Sequence, residues 1–336
     1  MKTPFILFLG LIQSVLAGSP KTPCRSGSDM SGQKLDRNSI DAILAKPKGG
    51  LQNNPNQTQL GQGGYVAGGR WIGPGEGVRT NQDFIGTVDR VNIPGIPSSP
   101  SDKTQYNLFN PTPDFLLRGL APDRPDATES PITVDAGRFQ IEASLFNYRR
   151  DQSLETFIYG QVNLKAGLTH NIDLQAVLDL RSEAAGDWTT FGDLTIRLKY
   201  NIRGNDGGDT ALAIMPYVTA PTRSDEWQGG IIVPWATTLT NDISLGMQGQ
   251  LDFVNDDSGS EPEFLFTAVI GYPIIGKLGG YTEYIGVIAE DRYESYYSGG
   301  FTYEINENFV LDAGVQVGLN SDSEDFGCFT GFTQRF

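Results

Sequence analysis

The run ISLGMQGQLDFVN, residues 243–255, decides the fold. Ile243, Leu245, Met247, Leu251 and Phe253 fall on one parity; Ser244, Gln248, Gln250 and Asp252 fall on the other. Successive side chains of an extended strand point to opposite faces, so this run has one apolar face and one polar face. The same alternation recurs in three further runs. Leu311, Ala313, Val315, Val317 and Leu319 stand against Asp312, Gln316 and Asn320. Ile172, Leu174, Ala176, Leu178 and Leu180 stand against Asp173, Gln175, Asp179 and Arg181, and Leu194, Ile196, Leu198, Tyr200 and Ile202 against Thr195, Arg197, Lys199 and Asn201. Such alternation over ~10 residues is what a strand needs when one face meets lipid and the other a wet lumen. No internal stretch reaches the ~18 consecutive apolar residues of a membrane-spanning helix.

Working outward, the pattern predicts twelve strands, at 137–149, 154–168, 172–182, 191–203, 210–221, 227–240, 243–255, 262–273, 278–290, 295–305, 309–320 and 326–336. The fold class is therefore all-β, a transmembrane antiparallel up-and-down barrel with an even strand count. The connections support it. Those after the second, fourth, sixth, eighth and tenth segments are mostly short turn formers such as THN, GNDGGD and TND. The intervening ones are mostly longer and acidic, with Glu183 and Asp187, Asp225 and Glu226, Asp256, Asp257 and Glu261, Glu290, Asp291 and Glu294, and Asp322, Glu324 and Asp325. Short turns on one side and longer loops on the other predict periplasmic termini and acidic outer loops. The aromatic residues Trp188, Trp227, Trp235, Tyr293, Tyr296 and Tyr297 lie near segment ends, where amphipathic rings suit a membrane interface. The last residue, Phe336, shares the lipid-facing parity of Phe326, Thr330 and Phe332, although Gln334 departs from it. A terminal aromatic of this kind is the expected signal to barrel-assembly machinery.

The N-terminus sets the compartment. Lys2 gives a positive n-region, the stretch to Leu16 an apolar core, and Val15 and Ala17 small residues at −3 and −1, so residues 1–17 read as an export leader. Gly18 and Ser19 stand where a lipoprotein needs cysteine. Residues 18–118 are rich in Gly, Pro and Asn, with runs such as GQGGYVAGG and NIPGIPSSPSD; they read as a periplasmic linker or as a plug for the barrel mouth. A short helical pattern runs around Leu35, Ile40, Ile43 and Leu44. Residues 119–336 form the barrel domain. Cys24 and Cys328, at opposite ends of an exported chain, could pair.

The net charge of −15 excludes nucleic acid as a partner, since phosphate binding needs a basic surface. No zinc spacing or phosphate-binding glycine loop is present, so neither metal nor cofactor is expected. The acidic runs NDDSGSEPE (255–263) and SDSED (321–325) lack the full spacing of a helix–loop–helix calcium site. The single histidine, His170, falls in the THN turn, away from the rim where a lipid hydrolase would meet its substrate. The chain is not read as an enzyme.

Leu120–Asp151, LAPDRPDATESPITVDAGRFQIEASLFNYRRD, resembles the opening of an outer-membrane family named for the meta-pathway of phenol degradation. The resemblance lies in Asp123, Arg124, Pro125, Asp126, Thr128, Glu129, Ser130 and Pro131, followed by Gly137, Phe139 and Glu142, and extends more loosely to Phe336. It implies an outer-membrane barrel passing small, often aromatic or hydrophobic, molecules. The Asp123–Pro131 run either enters the lumen as a short plug, with Arg124, Asp126 and Glu129 meeting lumen charges such as Arg197 and Lys199, or merely launches the first strand.

Parity places Arg138, Glu142, Lys165, Asp173, Asp179, Arg181, Arg197, Lys199, Asp252, Glu283, Glu304, Asp312 and Arg335 on the lumen face. Such groups line a charged path or fill the interior as salt bridges. Twelve strands fall between filled barrels of about eight and open porins of about 16–18, so any pore is narrow. The expected function is passive passage of small solutes through an outer membrane, with outer-membrane lipid and lipopolysaccharide as surroundings. A non-conducting structural or surface-interaction barrel and, more remotely, an outer-membrane lipid hydrolase stay open.

Overall fold

The computed structural model describes residues 103–222, 227–239, 243–256, 259–290 and 292–336. The leader, Cys24, the helical pattern around Leu35–Leu44, and Asp225, Glu226, Asp257 and Asp291 lie outside these residues. The strands are β1 (Phe139–Asp151), β2 (Leu154–Thr169), β3 (Ile172–Ala184), β4 (Asp187–Thr190), β5 (Leu194–Arg203), β6 (Thr210–Ala220), β7 (Gln228–Thr238), β8 (Ser244–Asp256), β9 (Gly259–Ile275), β10 (Leu278–Ile288), β11 (Tyr293–Asn306), β12 (Phe309–Gly318) and β13 (Phe326–Arg335). The four-residue β4 pairs only with β3 and forms part of a connection. The other twelve pair antiparallel around a ring: β1 with β13 and β2, β2 with β3, β3 with β5, and each later strand with the next. The result is the closed twelve-stranded antiparallel barrel that the alternation predicts. Closure gives every strand two neighbours and removes the sheet edge, which hydrocarbon would leave unsatisfied.

Burial follows the parity. Along β8, Ser244, Gln248, Gln250 and Asp252 are buried, while Met247, Leu251 and Phe253 are exposed. Along β5, Thr195, Arg197, Lys199 and Asn201 are buried, and Leu198, Tyr200 and Ile202 exposed. Polar inside and apolar outside inverts a water-soluble protein and matches a wall between lipid and an aqueous or polar-filled interior. The alternation is not uniform. The inward residues Ala211, Met215, Ile232 and Leu265 of β6, β7 and β9 are apolar and buried. In β1 the register shifts between Ser144 and Phe146, opposite Gly160 of β2 with φ 71°. This bulge turns Asn147 and Arg149 toward the interior, where they line the same cavity as Ser144.

One end of the barrel, the turn end, carries the tight β2–β3, β9–β10 and β11–β12 connections, β5–β6, β7–β8 and both termini of the barrel sheet. The opposite, loop end carries the remaining connections. Two expectations there need correction. Within the run 255–263, residues 255–256 and 259–263 are strand rather than loop, because β8 and β9 stay paired out to Asp256 and Gly259. The β3–β5 connection contains β4, whose sequence DWTT is too short to show a period.

Candidate functional site

Residues 118–136, rich in polar and proline residues, make no strand, yet almost all are buried. A buried irregular segment must find partners for its backbone groups elsewhere. Here they come from the wall. Glu142 of β1 accepts from the Asp123 amide (2.9 Å), Asp173 of β3 from the Val134 amide (2.9 Å), and Gln248 of β8 from the Glu129 amide (2.7 Å). Glu283 of β10 accepts from the Ala127 amide at 3.0 and 2.9 Å and from the Thr128 hydroxyl at 2.7 Å. Asn201 of β5 donates to the Pro131 carbonyl at 2.7 Å. These strands stand on all sides of the ring, so one segment reaches them together only from within. It is a hairpin entering at the turn end. Its two stems meet where the Arg118 amide donates to Asp135 at 2.9 Å, and its tip spans Arg124–Glu129.

The hairpin's charges are matched to the wall. Lys199 donates to Asp123 at 2.7 and 2.8 Å, and Lys165 donates to both Asp123 and Glu142. Arg124 grips Asp312 of β12 with two bonds, 3.0 and 2.6 Å, and also donates to Ser144. Arg197 donates to Glu129 at 2.8 Å. Planar guanidinium–carboxylate pairs of this kind fix orientation as well as adding energy. Ser130 donates its amide to Asp123 at 3.0 Å, tying one stem to the other. Ala127 packs with Ile285 and Tyr296, and Leu120 with Val310.

At the turn end a second cluster holds the stems. Arg118 donates to Asp206 (3.0 Å), to the His170 carbonyl (2.7 Å) and to His170 Nδ1 (3.1 Å). Arginine only donates, so Nδ1 accepts and Nε2 carries the proton that faces Asp206 at 3.0 Å. Burial alone would raise the Asp206 pKa, but the His170 hydrogen bond, the Arg118 charge and the Lys103 contact overcome it and hold the carboxyl well below the usual range. Asn205 donates to Thr133 and to the His170 carbonyl, both at 2.8 Å. Parity reasoning missed Arg118, Asp135, Asn205, Asp206 and the structural part of His170, because they lie in turns and irregular chain where no period exists.

Of the residues assigned to the lumen, Glu142, Lys165, Asp173, Arg197, Lys199, Glu283 and Asp312 are buried against the hairpin, and Arg335 donates to the Arg118 carbonyl at 2.7 Å. Asp179 and Asp252 are buried away from it; Asp252 accepts from Gln250 and from the Tyr217 hydroxyl. Arg138 instead donates to Asp114 and to the Thr112 carbonyl at the turn end, and Glu304 is only half-buried near the same rim. Arg181 corrects the expectation: it is exposed, with its guanidinium 3.7 Å over the Trp188 ring, because the β3–β4 hairpin runs past the barrel wall. Tyr296 is also a correction. It is 2% exposed, points inward and donates to Glu294 at 2.7 Å, whereas Trp188, Trp227, Tyr293 and Tyr297 are exposed. Among the described residues Cys328 has no disulfide partner, and Phe336 is half-exposed beyond β13.

Beyond the hairpin tip, toward the loop end, lies a cavity of ≈ 70 Å³. Its floor is Arg124, Pro125, Asp126 and Ala127, and its walls include Glu283, Arg149, Glu324 and Phe329. No group of three or more His, Cys, Asp or Glu among the described residues could hold a metal ion.

A polar-lined barrel closed around its own hairpin defines the class. The chain belongs to the family described as putative MetA-pathway of phenol degradation, whose sequence profile matches residues 122–336 and so begins at the hairpin. No curated protein matches the chain significantly. Among solved structures it is similar to an outer membrane channel from Pseudomonas putida F1, at 15% identity and TM-score 0.45 over 59% of this chain and 95% of that one. It is also similar to the NanC porin, at 11% identity and TM-score 0.43 over 58% and 98%, and to the KdgM porin, at 9% and 0.43 over 59% and 99%.

Proposed function

We propose that the chain is an outer-membrane channel for passive passage of small solutes, and that residues 118–136 are its constriction. The observation that carries this reading is the pairing of an apolar outer wall with a polar interior holding a cavity above the hairpin tip. The turn end and both barrel termini face the periplasm, as short turns do in barrels of this kind. Family membership favours small aromatic or hydrophobic cargo. Phe336 is the signal to the assembly machinery, and the acidic loop end faces lipopolysaccharide. A lipid hydrolase gains nothing from His170, whose two ring nitrogens are engaged by Arg118 and Asp206.

A non-conducting structural barrel is the second reading, favoured by the ion pairs that Asp123, Arg124 and Glu129 make with the wall. Single-channel recording of the refolded full chain in planar bilayers separates the two. The channel reading expects discrete steps whose open time lengthens when Arg124→Gln and Asp312→Asn are introduced together. Silence in wild type and variant, from protein shown to be folded by heat-modifiable gel mobility, favours the structural barrel.

A further inference from the structure

The cavity above the tip is lined by three acids and two bases. Arg124 is taken up by Asp312, and Arg149 stands 3.8 Å from Glu324. Asp126 and Glu283 are left. Each is 2% exposed, and among the described residues no cation lies within ion-pair distance of either. Glu283 accepts from the Ala127 amide and from Thr128, all neutral donors. Asp126 Oδ2 has no hydrogen-bond partner among the described residues. Asp126 therefore keeps a buried acceptor unused and Glu283 a carboxylate without a countercharge, and both line the same cavity.

We propose that this cavity binds the ammonium group of a small organic solute, with Asp126 and Glu283 accepting its N–H groups. An ammonium supplies up to three donors and one positive charge, matching both deficits at once. The Phe329 ring on the same cavity wall offers an apolar and cation-attracting surface to the carbon part. Glu324, the third acid, faces Arg149, which leaves two carboxylates without a cation, and such a pair suits a hydrogen-bonding cation better than a metal ion. The proposal rests on the channel reading for its role, since the cavity lies on the route from the loop end to the constriction.

The test is calorimetric titration of the refolded full-length protein in detergent with ethylammonium chloride at constant ionic strength, beside Asp126→Asn and Glu283→Gln. Both changes keep side-chain size, and gel mobility checks folding; if one variant misfolds, the other carries the comparison. The expected result is saturable binding to wild type, weakened about tenfold or more in either variant. Tetramethylammonium, which has no N–H, should fail to compete. Absence of saturable binding to wild type, or equal binding in the variants, overturns the proposal, as when a proton shared by the two carboxylates already balances them. Equal displacement by potassium chloride overturns it in favour of a bare monovalent cation. Calorimetry needs no conductance: binding with silent bilayers would sink the passage reading and leave the site, and conductance without binding the reverse.

Discussion

Lys199 of β5 donates to both carboxylate oxygens of Asp123, at 2.7 and 2.8 Å, although the two residues are 76 positions apart. Lys165 converges on the same carboxylate from β2, and all three side chains are at most 1% exposed. Replacing Asp123 by Ala leaves Lys165 with Glu142 as its ion-pair partner and Lys199 with none within 4 Å among the described residues. Removing one member of such a buried set costs about 3–5 kcal/mol. The urea midpoint of folded, heat-modifiable protein should fall accordingly, and Asp123→Asn, which keeps an acceptor, should fall less.

Asp206 gives the hairpin base a pH dependence. Its folded pKa lies below the unfolded value of ~3.9, so its contribution to stability is fully present above that value and is lost as pH falls through the folded one. Thermal unfolding in detergent should show wild type clearly above Asp206→Asn at pH 6. The gap should narrow below about pH 4. A gap that widened on acidification would contradict the assignment of His170, Arg118 and Lys103 as the stabilising partners.

Gly167 of β2 is where the returning hairpin stem presses on the wall. A Cβ there would run into the backbone carbonyl of Asp135, and the Gly167 carbonyl already accepts from the Gly137 amide at 2.8 Å. Backbone on both sides cannot swing away like a side chain. Gly167→Ala should therefore cost about 1–3 kcal/mol and loosen the stem. Faster proteolysis within 103–136, with the barrel itself intact on gels, is the expected readout.

Leu251 tests the lipid-facing wall. It lies in the middle of β8, 37% exposed, between the inward Gln250 and Asp252. Leu251→Arg should cost about 2–4 kcal/mol for folding into vesicles if this position sits near the bilayer midplane. Gln250→Arg, one residue away but inward, should not carry that cost of placing a charge in hydrocarbon. Equal sensitivity of both variants would mean that the outer face does not meet hydrocarbon.

The strands were legible because the signal is local. Each strand separately must present one face to lipid and the other inward, so the alternation of Leu251 with Gln250 and Asp252, or of Leu198 with Arg197 and Lys199, is written within a few residues. The parity failed where the wall no longer governs the chain: at Arg181, beyond the rim, and along β6 and β7, whose inward Met215 and Ile232 are apolar. The Asp123–Pro131 run was legible only as a family motif, because polar, proline-rich sequence reads equally as a loop or as a buried hairpin.

By itself, then, the sequence determined the barrel, its strand count and which residues of most strands turn inward, since a period of two is enforced strand by strand. Tertiary structure alone decided that 118–136 lies within the ring and which charges meet. Arg124 and Asp312 are 188 residues apart, and Ala127 and Glu283 are 156 apart. No spacing along the chain encodes such partners. They become neighbours only when closure of the ring brings opposite walls around one inserted segment, and the cost of burying unpaired charge then selects the matches.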